Sequence, residues 1–538
     1  MLRLLLCVVV AAILAGTRGL GAGPTPRLVV VLVFDQMRGD YLWRWQPLWS
    51  SGFKRLLSEG FWYRNCLIQH GATVTCAGHA TLATGAPPSQ HGISGNALVT
   101  DCCPRRLVGC AADTSGLPST MWLRLPTLGD ALRQQFPQAK VISLSHKARA
   151  ALMMGGHSPT AVLWLDPEQD GLVTYPTQAP PAWLSEWNRR HSAWQYAGRV
   201  WEPLLPASFA PIDSVPWEAR FPEGSSAFPH RLPDTTKAFW DAFLLSPFSV
   251  AWLMDAARTA IHSEALGRDS IPDILWVSIS TTDIVGHYFG PDSRELLELY
   301  LSCDQILGEF LQFLDDSIGR SHYVVVVTSD HGVAPVPEML LQAGPGAYPG
   351  IDAGRISTEE LALFLHRRLI ASFGSQAGLH WFVLEPPIML LNRELIRQSQ
   401  HEPEVVLDSL VRWLREYEGI GIVLQASELQ QPPADRVTDT LHTLLPRSFP
   451  PTNAGDILLY PRPFWIFGTD VPATHGTPYE YDRFIPLVFF GAGIPRGSST
   501  EPATPEDVAP TLAALLRIPL PTATGRALPH VLGSPAAH

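Results

Sequence analysis

Long runs of any one kind are what this chain lacks. Lysine and arginine never gather into a basic tract, and acidic residues outnumber basic ones to leave a formal charge of −11. That balance excludes a nucleic-acid-coating protein. There is no internal repeat and no low-complexity tract, so solenoid and linker-type architectures are excluded as well. After the first two dozen residues, no apolar stretch reaches the roughly 20 residues that a membrane-spanning helix needs. Charge is sparse, at 17% of residues against 46% apolar, which describes a globular protein with a substantial core. Cysteine is scarce too, with seven residues in 538.

Residues 1–22 have the form of an export signal. Arg3 supplies the positive end, Leu4–Ala15 the short apolar stretch, and glycine- and alanine-rich residues follow, with cleavage expected within Ala15–Gly23. Cys7 lies inside the apolar stretch and lacks the small preceding residues of a lipid-attachment site. The mature chain is therefore expected in a periplasmic or secreted setting, without a membrane span. In that setting Cys102, Cys103 and Cys110 cluster closely enough to close a short disulfide, whereas Cys66, Cys76 and Cys303 have no evident partner and are expected as buried thiols.

The length accommodates two or three domains, or one large α/β domain with insertions. Leu28–Phe34 is a continuous Val-rich run suited to a strand buried on both faces of a parallel sheet. Lys140–Leu144, Ala161–Leu165, Ile274–Ser280, Tyr323–Thr328 and Pro486–Phe490 are further strand candidates. Phe53–Glu59, Ser249–Leu266, Ser293–Asp315 and Glu506–Leu516 have helical character. The repeated order of strand, polar residue and helix predicts a three-layer α/β/α sandwich with a mostly parallel central sheet. Two segments stand outside that rhythm and are expected as inserted caps. One, at about 174–233, is rich in Pro, Trp and Ser; the other, at about 335–463, holds helices and loops. Residues 23–538 would then form one catalytic domain.

Ligands of open α/β sheets bind beyond the carboxyl ends of the strands. Asp35, Asp283 and Asp330 each follow an apolar strand, so they are expected to converge on one edge. His287, His331 and His475 accompany them. Singly, such residues are helix caps or solvated side chains. Together, three aspartates and three histidines form a donor set suited to zinc, and divalent cations would offset the cost of burying the carboxylates. The small-residue stretch Ala72–Thr81 adds Thr73 and Thr75 at an expected helix start, where unpaired N–H groups attract anions. A hydroxyl beside a metal becomes a nucleophile, and two ions about 4 Å apart clamp an in-line displacement at phosphorus. Asn96 supplies an amide donor for a phosphoryl oxygen. Lys147 and Arg149 follow a strand and, in extended chain, point the same way toward a dianionic group.

Asp35-Gln36-Met37, Thr75-Cys76-Ala77-Gly78-His79, Lys147-Ala148-Arg149, Thr282-Asp283-Ile284-Val285-Gly286-His287, Ser329-Asp330-His331-Gly332 and Thr474-His475-Gly476 together resemble the alkaline phosphatase superfamily. Within it they are most similar to bacterial alkaline phosphatases with a threonine nucleophile, relatives of the nucleotide pyrophosphatases/phosphodiesterases. The resemblance implies two Zn2+ ions: Asp283, His287 and His475 on one, and Asp35, Asp330, His331 and the Thr75 oxygen on the other. It singles out Thr75 over Thr73 as the nucleophile that becomes phosphothreonine, and it gives Asn96, Lys147 and Arg149 to the phosphoryl oxygens. The Lys-x-Arg pair marks the monoesterase branch. Two departures from the usual pattern are Ala97-Leu98 after Asn96 and Ala148 between the two cations.

Cys102-Cys103-Pro104-Arg105-Arg106 matches a sulfatase pattern but lies downstream of Asn96, away from the nucleophile position. His79 and His91 are expected to pack or to support the site. The expected protein is a monomeric phosphate monoesterase acting on small molecules. The alternatives are a phosphodiesterase/nucleotide pyrophosphatase and a secreted phosphate-binding protein without catalysis.

Overall fold

The computed structural model describes residues 25–100, 105–342, 350–374, 377–430, 440–450 and 453–533. The expected signal segment, Cys102 and Cys103 lie outside them. The central sheet has nine strands: β1 (Leu28–Phe34), β2 (Phe61–Leu67), β3 (Val141–Ser145), β4 (Ala161–Asp166), β5 (Gly171–Val173), β6 (Asp273–Ile279), β7 (Tyr323–Thr328), β8 (Phe484–Gly491) and β9 (Gly497–Ser499). Their order across the sheet is β9-β2-β8-β7-β1-β6-β3-β4-β5. Strand β1 runs parallel to both neighbours, with Val31 opposite Trp276 on one side and Val326 on the other. β3 continues the parallel set beside β6.

Every residue of β1 is buried, and alternation divides its side chains between two cores. Leu28, Val30, Leu32 and Phe34 enter one, and Val29, Val31 and Val33 the other. Helices close both faces. They include α1 (Thr75–Thr84), α2 (Leu128–Gln135), α3 (Ala148–Gly155), α4 (Pro247–Ser263), α5 (Thr281–Phe289), α6 (Arg294–Ser317) and α7 (Val508–Leu516). α4 and α6 fill the first core and α2 and α7 the second. This is the expected α/β class, with each strand of the parallel set shielded from water on both sides.

Beyond the short unannounced edge strands β5, antiparallel to β4, and β9, two longer strands depart from the expectation. β8 is apolar like its neighbours but pairs antiparallel with β7 and β2. β2 is a strand that the sequence did not announce, because Arg64 and Asn65 break its apolar run. The segment read as helices and loops also contains a second sheet of four strands, Phe382–Glu385, Ile388–Leu391, Ile457–Pro461 and Ile420–Gln425. It builds its own core with helices Thr358–Phe373 and Pro403–Glu416. The tryptophans of the Pro/Trp-rich segment are packing residues: Trp187 and Trp201 are buried in the α4/α6 core.

The cysteine expectation needs correcting. Cys110 bonds to Cys76, not to its sequence neighbours. Cys66 and Cys303 are buried free thiols.

Candidate active site

Because β1, β6, β7 and β3 run parallel, their carboxyl ends share one edge, and each delivers a functional residue within a few positions. Asp35 follows β1, Asp283 lies in the first turn of α5 after β6, Asp330 and His331 follow β7, and Lys147 follows β3. His287 stands one helical turn after Asp283 on the same face of α5. His475 arrives on the loop before β8. The donor atoms form two groups, Asp283/His287/His475 and Asp35/Asp330/His331, each within 4.8 Å of one another.

The imidazoles are oriented for metal ligation. His287 Nδ1–H donates to the Ala473 carbonyl (2.8 Å), His331 Nδ1–H to Gly332 (2.9 Å) and His475 Nδ1–H to Thr73 (2.8 Å). Each bond fixes the tautomer and turns Nε2 toward the carboxylates. Asp35 Oδ1, Asp330 Oδ2 and His331 Nε2 are buried and have no hydrogen-bond partner. Buried polar atoms are rarely left so, and these three belong to one group. The residues of that group therefore fit a divalent cation, and Asp283, His287 and His475 offer the same kinds of donor atom.

Their electrostatics reflect crowding. Burial raises the Asp35 carboxyl, and the charges of Asp283 and Asp330 push it further. Burial would do the same to Asp283, but His287 and Lys147 hold it well below the ordinary range. Burial opposes a charge on His331, yet Asp330 and Asp35 lift it to about 9. His475, buried and stacked 3.6 Å from the His331 ring, is pushed down to about 3. Lys147 Nζ donates to Asp35 Oδ2 (2.7 Å) and also to Asp283 Oδ2, joining the two groups. Burial works against its charge, but those two carboxylates raise it.

Thr75 is the first residue of α1, after Val74 in extended conformation, and is buried. The helix lies against Asp330 through Gly78, where a Cβ would sit 2.2 Å from the Asp330 carbonyl oxygen. Any other residue would push Thr75 away from the carboxylates. His79 locks the same contact from the helix. Its Nδ1–H donates to the Thr75 carbonyl (2.8 Å) with Asp330 Oδ2 3.1 Å away, and Nε2 accepts from the Ser278 hydroxyl (2.8 Å). His91 packs deeper, its Nε2 on Thr81 Oγ1 at 3.0 Å.

Asn96 is exposed but held on three sides. Its Oδ1 accepts from the Cys76 N–H (3.1 Å), its carbonyl from the Cys110 N–H (2.9 Å), and the Cys76–Cys110 disulfide closes the ring. Its amide nitrogen is left to donate outward. Lys147 is in extended conformation as expected, but Arg149 is not. Lys147 precedes α3 and Arg149 is the second residue of that helix. Arg149 makes no hydrogen bond or ion pair among the described residues, and its Nε is buried without a partner. Its positive charge works against that of Lys147, though less than the two carboxylates favour it.

A catalytic edge with two carboxylate–imidazole groups, a helix N-terminus bearing a hydroxyl, and a Lys/Arg pair defines a phosphoric ester hydrolase. The signature described as "Type I phosphodiesterase / nucleotide pyrophosphatase" matches residues 29–470, and the chain belongs to that family. It is 30% identical to alkaline phosphatase PafA of Elizabethkingia meningoseptica over 98% of each chain. It is 31% identical to alkaline phosphatase PhoV of Synechococcus elongatus over 92% of this chain and 91% of the other. A crystal structure of wild-type PafA superposes with a TM-score of 0.86 at 29% identity, covering 95% of this chain and 100% of that one. The resemblance to bacterial alkaline phosphatases holds. Among the described residues no helix is long and apolar enough to cross a membrane.

Proposed function

We propose that this chain is an exported, two-zinc phosphate monoesterase that works through a phosphothreonine at Thr75. The observation carrying the reading is the meeting of two ligand groups, bridged by Lys147, at the N-terminus of the helix that begins with Thr75. One group would hold its zinc with Asp283, His287 and His475, the other with Asp35, Asp330, His331 and the Thr75 oxygen. Bound there, the cations would supply positive charge that acidifies a hydroxyl and stabilises a leaving oxygen.

The protein's own groups do the rest. The N-terminal turn of α1, whose Cys76 N–H is held by Asn96, faces the anion with the positive end of the helix dipole. Asn96 donates its amide N–H to a non-bridging oxygen. Lys147 turns from the carboxylates toward the phosphoryl group, and Arg149, free of other partners, adds a two-pronged donor. The Thr75 oxygen bonds to phosphorus as the ester P–O bond breaks, and the alcohol leaves with a proton. Water then attacks the phosphothreonine, restoring the Thr75 hydroxyl and releasing phosphate.

Export is supported by residues 1–22 and by a disulfide beside the site, which suits an oxidising compartment. We also read the second sheet and the Pro/Trp-rich segment as caps on one catalytic domain, and the protein as a monomer acting on small phosphate esters.

A second reading, a phosphodiesterase, draws on the matched family description and on Lys147 being engaged with Asp35 and Asp283. Comparing kcat/KM for an aryl phosphate monoester and the matching diester decides between them. The monoesterase prefers the monoester, and Lys147→Ala/Arg149→Ala removes that preference, since a diester has an organic group where the cations reach. Thr75→Ala lowers turnover by at least about 10³-fold. A diester preference indifferent to the two cations selects the second reading.

A further inference from the structure

Beside His475 a cleft of about 230 Å³ opens between the catalytic edge and the second sheet. Its walls are apolar and come from both units: Val74 from the turn before Thr75, Pro386 and Pro387, and Tyr460, Ile466 and Phe467. Tyr460 is buried and contributes its ring to the wall.

The position of the cleft relative to the chemistry decides what it receives. In an in-line displacement the leaving oxygen departs opposite the attacking one. With Thr75 attacking from the Asp35/Asp330/His331 side, as the reading above has it, the departing alcohol emerges on the Asp283/His287/His475 side. His475 belongs both to that group and to the cleft wall.

We propose that this cleft is the leaving-group site and that it selects a single aromatic ring, so the substrates are aryl or arylmethyl phosphates. An apolar cavity of roughly 150 Å³ suffices for a benzene ring. Pockets for drug-sized ligands begin near 300 Å³, so the cleft matches one ring more closely than a nucleoside. Prolines, Ile466 and the Phe467 ring give an aromatic ring flat apolar contact.

The test compares phenyl with methyl phosphate on zinc-supplied protein, using each variant against wild type so that leaving-group acidity cancels. Phe467→Ala should lower the phenyl-to-methyl ratio of kcat/KM by about tenfold. Thr358 lies half-buried at the cleft rim, and Thr358→Trp, which fills the opening without removing core atoms, should do the same. Calorimetry on Thr75→Ala protein provides a readout without turnover. There phenyl phosphate should bind about tenfold more tightly than methyl phosphate, and adding Thr358→Trp should erase the difference. An unchanged ratio in both variants with equal affinities would overturn the leaving-group assignment. Absence of turnover with every ester, with the binding preference intact, would overturn the proposed function and leave the ring site standing.

Discussion

Lys147 holds the position that ties the two ligand groups together. Its ammonium is the cation shared by Asp35 and Asp283, and it is nearly inaccessible to solvent. Removing one member of a buried ionic cluster leaves the others uncompensated, which costs about 3–5 kcal/mol. Metal-free Lys147→Ala protein should therefore melt well below metal-free wild type. Zinc, which takes over the neutralisation, should raise the Tm of the variant more than that of wild type. Melting curves with a chelator and with added zinc check this, and equal zinc responses would refute it. Much of the site was legible at this scale. Asp35, Asp283 and Asp330 follow apolar strands within a few residues, and parallel order carries strand ends to a common edge. The helical placement of Arg149 was not legible, because Lys147 precedes α3 without the Ser, Thr or Asp that usually announces a helix start.

Helix α1 is the element on which positioning turns. Gly78 lets it touch the Asp330 backbone, and no side chain can flex away from that contact, since the obstructing atoms are a carbonyl oxygen and a Cβ. Gly78→Ala should shift Thr75 against the ligand groups. With misplacement near 1 Å, turnover should fall about 10²-fold, while far-UV circular dichroism stays native. Wild-type activity in that variant would show that the close approach is dispensable. At its other contact the helix is tied by Cys76 to Cys110, 34 residues away in sequence. A loop of that length predicts about 3–4 kcal/mol of stabilisation by the chain-entropy account. Cys76→Ala/Cys110→Ala should thus lower Tm. It should also raise KM for a phosphate ester, because both cysteine amides hold Asn96. A variant with lowered Tm but unchanged KM would confine the bond to stability. This pairing was hidden in the sequence because it depends on how the Asn96 turn folds back over α1, whereas spacing along the chain suggested only a pairing among Cys102, Cys103 and Cys110. The direction of β8 was hidden for a related reason. A strand buried on both faces has the same apolar run whichever way it points.

Across the whole molecule, the Pro/Trp-rich segment reaches the metal side from outside the sheet. Ala219 N–H donates to the Tyr288 carbonyl on α5 (3.1 Å), and Trp217 packs on the cluster of Val333, Val336 and Ala473. Ala473 is the residue whose carbonyl orients His287. Glu218 sits in this brace. Burial raises its carboxyl to about 8 from an ordinary 4.5, and the charges of Glu295 and Asp213 add to the shift. A group with a raised folded-state value binds more protons folded than unfolded, so stability falls as pH rises between those two values and levels off beyond them. Below pH 4.5 the carboxyl is neutral in both states and the brace is at full strength. Above pH 8 it is charged beside two other acids. Glu218→Gln, neutral throughout, should match wild type in Tm at pH 4 and exceed it by a margin that grows to about pH 8 and then stays constant. Thermal melts of both proteins from pH 4 to 10 provide the test. A margin independent of pH would mean that Glu218 is already charged in the folded brace, and the segment would then have to hold the metal side against three neighbouring carboxylates.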